Sequence, residues 1–72
     1  MVNRNLSVNL KYLRKATGLT QAEMSADIDI DIKAYAKYEE GRSEPTIDTL
    51  IRISEYYGIT VDELVKVKIK NK

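Results

Sequence analysis

The sequence predicts an all-α fold, one domain of five short helices, and three observations carry that expectation. Three places set an apolar residue before a capping residue, with a second apolar residue five positions after the first. Apolar residues elsewhere recur at intervals of three and four, the period of a helix with one buried face. Glycines stand where these segments should stop. A chain of 72 residues buries only a modest share of its surface, so a single core is the most it supports.

The first helix is expected over Leu6–Thr17, with Leu6, Leu10 and Leu13 on one face and Gly18 placed to adopt the left-handed conformation beyond its last turn. Leu19-Thr20 with Met24 opens the second, where the Thr20 hydroxyl accepts from orphan backbone N–H groups while the apolar pair fixes the entry angle. Glu23 completes a capping box with Thr20. Ile30-Asp31 with Tyr35 opens the third after the short turn Asp29-Ile30-Asp31, and Gly41 ends it. Pro45 blocks helix before Thr46, so the fourth helix runs from near Thr46 through Ile47, Leu50, Ile53 and Tyr57 to Gly58. Ile59-Thr60 with Leu64 opens the fifth, again with a capping box, Thr60 and Glu63. Val65 to Lys70 departs from the rest: apolar and basic residues alternate there with period two, a strand pattern.

Composition narrows the function classes. The chain has 43% hydrophobic and 32% charged residues and no apolar run near the roughly 20 residues that span a bilayer, so no membrane partner is expected. Its N-terminus lacks the apolar run of a secretory signal, and a cytoplasmic location is expected. With neither His nor Cys, the commonest general base, the best thiol nucleophile and nearly all structural zinc chemistry are missing. No enzyme, metal or cofactor is expected; Asp31, Glu23, Asp62 and Glu63 are explained as caps or first-turn acids favoured by the helix dipole. Net charge is only +1, but the charges are segregated. Met1 to Leu19 carries Arg4, Lys11, Arg14 and Lys15 without an acid, Lys66 to Lys72 carries four lysines without an acid, and Thr20 to Ile32 carries only Glu23, Asp27, Asp29 and Asp31.

The run Gly18-Leu-Thr-Gln-Ala-Glu-Met-Ser-Ala-Asp-Ile-Asp-Ile-Asp, followed by Tyr35, Tyr38-Glu39-Glu40-Gly41 and Glu44-Pro45, resembles the Cro and phage-repressor type of helix-turn-helix regulator, also called Xre-like. The likeness extends from about Leu10 to Leu64 and includes Leu13-Arg14, Leu50 and Gly58-Ile59. It implies a lambda-repressor-like domain with a core at 6–65 and a helix-turn-helix at 20–39, and the period-two alternation leaves 66–72 as a basic strand or tail. Its implied function is sequence-specific binding of double-stranded DNA in transcriptional regulation, by repression, with no small-molecule effector. In such proteins the helix after the turn lies in the major groove and the preceding helix crosses the backbone.

Carried onto this chain, the resemblance makes Ile32 to Glu39 the recognition helix. Helical spacing turns Tyr35 and Tyr38 toward the core and leaves Ile32, Lys33, Ala36 and Lys37 outward. Lys33 and Lys37 can each donate to guanine O6 and N7 or to phosphate, and Ile32 can touch a thymine methyl. Each lysine has an equally plain reading as a solvated side chain. Gln21 matches a glutamine that contacts the DNA backbone or an outer base in relatives, a contact that Thr20 can share beside its role as a cap, and Arg42 and Ser43 match a segment that meets phosphates there. Arg14 and Glu39 match an internal ion pair. The usual small residue of the turn is replaced by Asp29, and Asp27 and Asp29 repel phosphate unless they face away. That acidic turn sustains a second reading, a protein-interaction or antitoxin-like module. A homodimer is expected, since one short helix reads only a few base pairs, and Val65, Val67 and Ile69 are the candidate apolar edge that joins two copies.

Overall fold

Five helices succeed one another: α1 Arg4–Thr17, α2 Gln21–Asp27, α3 Ile32–Glu40, α4 Ile47–Tyr57 and α5 Val61–Lys66. The structure is a computed structural model and describes residues 4–66. Helix α1 packs against α3 and α5, α2 packs on α3, and α4 on α5. The core is formed by Leu6 and Leu10 of α1, Met24 and Ile28 at α2, Tyr35 of α3, Ile53 of α4 and Leu64 of α5. Every helix thus places at least one side chain in the common core. At about 1.5–3 kcal/mol for each fully buried large apolar side chain, this burial, rather than the propensity of such short helices, holds them in place.

The three sequence-level staples close as expected. Met24, Tyr35 and Leu64 are fully buried, and their partners Leu19, Ile30 and Ile59 pack against the core. Thr20 Oγ1 accepts from the Glu23 N–H at 3.1 Å while Glu23 Oε1 accepts from the Thr20 N–H at 2.9 Å. The same reciprocal pair joins Thr60 and Glu63 at 3.0 and 2.9 Å. Asp31 Oδ2 caps α3 by accepting from the Lys33 N–H at 2.9 Å.

Four helix ends share one closure, in which the residue in the left-handed region and the one after it donate back to carbonyls of the last turn. Gly18, Gly41 and Gly58 fill that place after α1, α3 and α4, with φ of 78°, 73° and 69°. After α2 the place is taken by Asp29 at φ 59°: its N–H donates to Ala26 O at 3.2 Å and the Ile30 N–H to Ser25 O at 2.9 Å. The turn is therefore built as a glycine turn but carries a side chain.

Two differences from the sequence reading stand out. Helix α1 begins at Arg4 rather than Leu6. More consequentially, Val65 and Lys66 belong to α5, so the strand pattern does not begin at Val65. Val61, Leu64 and Val65 fall at helical spacing, and Val65 packs against the core. The end of this six-residue helix is fastened by α1, where Asn9 Nδ2, fully buried, donates to Leu64 O at 2.8 Å and Asn5 Nδ2 to Lys66 O at 3.1 Å. These bonds satisfy carbonyls that a helix C-terminus otherwise leaves unpaired. Val65 is therefore spent on its own domain, whereas Val67 and Ile69, the rest of the expected apolar edge, lie outside the described residues.

Candidate nucleic-acid interface

Helix α3 is fixed along its length. Tyr35 is fully buried and Tyr38 packs edge-on against it, with ring centroids 6.5 Å apart. The capping Asp31 holds its first turn, and Gly41 and Arg42 donate to Tyr38 O and Lys37 O to close its last. The opposite face bears Ile32, which is 43% exposed, and the exposed Lys33 and Lys37, one turn apart. Ala36 is half-buried between them and keeps that face low.

An ion pair anchors the end of α3. Arg14 Nε donates to Glu39 Oε2 at 2.7 Å and its second nitrogen to Oε1 at 3.1 Å, a two-pronged geometry that suits guanidinium and carboxylate. The Glu39 side chain is only 2% exposed and that of Arg14 11%. Arg14 also donates to Leu19 O at 2.8 Å, and Gln21 Nε2 donates to Glu39 Oε1 at 3.0 Å. One carboxylate thus ties α1, the start of α2 and the end of α3 together. Burial disfavours its charge, but the hydrogen bonds it receives outweigh that penalty and hold the Glu39 carboxyl below its ordinary value of 4.5. The same bond raises the Arg14 pKa against the opposing effect of burial. The Tyr35 hydroxyl, buried beside that carboxylate, has no hydrogen-bond partner of ordinary geometry among the described residues, and burial pushes its pKa up.

The other candidate residues are distributed as follows. Thr20 is exposed, with its hydroxyl occupied as the cap of α2. Gln21 is half-buried and reaches Glu39, a contact no sequence pattern signalled. Arg42 is exposed and pairs with Glu40 at 3.2 Å, and Ser43 is half-buried in the connection to α4. One acid of the turn, Asp27, is drawn toward α4. Asp27 Oδ2 accepts from the Tyr56 hydroxyl of α4 at 2.7 Å, and Arg52 donates to Ile28 O at 3.2 Å. Asp27 therefore faces α4, and the Arg52 guanidinium lies over the end of α2. Tyr56 and Arg52 escaped the sequence reading because partners more than 20 positions apart leave no local pattern.

Residues 10–64 match a family model described as helix-turn-helix. The cryptic phage CTXphi transcriptional repressor RstR of Vibrio cholerae is 43% identical over 51 residues, 71% of this chain and 46% of that protein. An uncharacterised HTH-type transcriptional regulator of Bacillus subtilis, YqaE, is 43% identical over 60 residues, covering 83% of this chain and 52% of its own length. The chain spans about half the length of these relatives. Among solved structures, a transcriptional regulator from Listeria innocua superposes with a TM-score of 0.79 at 32% identity, over 83% of this chain and 56% of that one.

Proposed function

The chain belongs to the helix-turn-helix family, and on that premise we propose that it binds double-stranded DNA sequence-specifically and represses transcription, in the cytoplasm and as a homodimer. The observation that carries this reading is the outward face of α3, where Lys33 and Lys37 flank a small Ala36 on a helix held rigidly from behind. Repression follows the named activity of the RstR relative.

With α3 in the major groove, Lys33 and Lys37 donate to guanine edges or to phosphate, and Ile32 meets a thymine methyl. Ala36 lets the helix approach closely. Arg42 exchanges Glu40 for a phosphate at little cost, because an exposed ion pair contributes at most about 1 kcal/mol. Gln21 keeps one amide N–H on Glu39 and presents the other to the DNA backbone, beside Thr20 and Ser43. Two copies on a two-fold site place their half-sites about 34 Å apart.

Selection of bound sequences from random duplex DNA, repeated at several salt concentrations, tests the proposal. The expected outcome is a two-fold motif with half-sites one helical turn apart and an affinity that falls as salt rises, since each neutralised phosphate releases counterions. Recovery of no motif at any salt concentration would overturn it.

A further inference from the structure

Helix α1 buries Leu6 and Leu10 and turns another stripe outward. Val8, Lys11, Tyr12 and Lys15 stand at i, i+3, i+4 and i+7, the spacing of one helical face. These four, with Ser7 and Glu39 where α1 meets α3, line a groove of about 390 Å³. Its apolar part is open to solvent, Val8 being 41% and Tyr12 43% exposed. Its charge has one sign. Lys11 and Lys15 are exposed, and neither joins an ion pair among the described residues. Helix α1 has no acid, and the Glu39 side chain is 2% exposed and spent on Arg14 and Gln21. The DNA reading uses none of the four outward residues.

We propose that this groove docks an acidic amphipathic helix of a partner protein, with two apolar side chains one turn apart on Val8 and Tyr12 and carboxylates over Lys11 and Lys15. A helix laid along α1 sets its side chains between those of its neighbour. The lysine stems then cover apolar surface while their ammonium groups stay at the rim, within reach of the carboxylates. Charge selects this occupant over the alternatives. Residues 66–72, of this chain or of a second copy, bring four lysines and no acid, and would be repelled. The acids of α2 in a second copy are engaged, Glu23 in its capping box and Asp27 with Tyr56. A nucleic-acid strand would meet the lysines but leave Val8 without a partner, and successive bases need successive rings, of which the stripe has one, Tyr12.

Selection of displayed random peptides on the immobilised full chain tests this, followed by fluorescence anisotropy of the enriched peptides with variants. Lys11→Gln with Lys15→Gln removes the charge and Tyr12→Ala the ring, all at exposed positions and with replacements that form helix well. Lys33→Ala with Lys37→Ala is the control face. Enriched peptides should carry Asp or Glu beside apolar residues spaced by three or four. Their affinity should fall at least about fivefold without the two lysines, through lost charge complementarity, and at least about tenfold without the Tyr12 ring, the kind of anchor that dominates such contacts. It should stay within about twofold of the parent in the control. No enrichment, enrichment of basic peptides, or binding that depends on Lys33 and Lys37 instead overturns the proposal. So does a lower salt slope of duplex DNA binding in the Lys11 and Lys15 variant, which would make the stripe a phosphate contact. Binding of the parent to a selected duplex is measured separately, so the DNA reading stands or falls apart from these results.

Discussion

Replacing Glu39 by Leu should remove a large part of the domain's stability. The side chain is 2% exposed and accepts three hydrogen bonds, two from Arg14 and one from Gln21. Without it, a guanidinium that is 11% exposed keeps only its bond to Leu19 O. Breaking a buried pair from one side costs about 3–5 kcal/mol. A domain of this size has about 4–11 kcal/mol in all, at roughly 0.05–0.15 kcal/mol per residue. The melting temperature should fall by at least about 12 °C, from about 4 °C per kcal/mol. Arg14→Met should cost a similar amount, with the loss of the Leu19 bond added. The double variant, Arg14→Met with Glu39→Leu, should recover much of the deficit, because no unpaired charge is left in the interior. The Leu19 bond is absent from both Arg14 variants and cancels in the cycle, so the coupling, expected at about 2 kcal/mol or more, isolates the pair. Urea unfolding followed by helical circular dichroism measures all four proteins. A cost below about 1 kcal/mol for Glu39→Leu, or additivity within about 0.5 kcal/mol, would refute the reasoning.

Lys33→Ala and Lys37→Ala should leave the fold intact, since both side chains are exposed, and weaken DNA binding. A lysine that reads a base relaxes preference at one base pair at a cost of about 1–3 kcal/mol, whereas one on phosphate weakens all sequences and lowers the salt slope, so binding curves on selected and scrambled duplexes separate the two roles. Asp29→Gly should stabilise the domain by up to about 1 kcal/mol by relieving a left-handed backbone, φ 59°, that costs any residue with a Cβ; a lower melting temperature would contradict the turn assignment. Stability should also narrow at both ends of the pH range. The lowered pKa of Glu39 contributes stability above its ordinary 4.5, which is lost as pH falls below that value toward the folded pKa. At the other end, burial raises Tyr57 from 10.0 to about 12, so its contribution is complete below pH 10 and disappears as pH rises from there toward 12. Denaturant midpoints across pH 2 to 12, flat at both extremes, would contradict these assignments.

The helices were legible because their signals are local. Each cap, staple and glycine stop lies within a few residues of the boundary it sets, and Thr20, Asp31 and Thr60 acted as their spacing required. At Val65 two local periods competed, alternation with Lys66 to Lys70 and helical spacing from Val61 and Leu64. The core contact of Val65 and the two α1 asparagines decided for helix. The candidate site was less legible. Lys33 and Lys37 could be placed outward from periodicity alone, but Gln21 with Glu39, Tyr56 with Asp27 and Arg52 with Ile28 join residues 18 to 29 positions apart. Only the packing of α2 against α3, and of α4 near the turn, brings them together.

Helix α3 is capped at its start by Asp31, closed at its end through Gly41, and clamped to α1 and α2 by Glu39. If α3 reads DNA as proposed, it reaches the duplex already ordered, with no hinge of its own to adjust. In the proposed dimer, the fit between two such helices and two half-sites would then come from the DNA, through bending, twist and groove width. Base pairs between the half-sites, touched by no side chain, would contribute to selectivity according to how easily they deform.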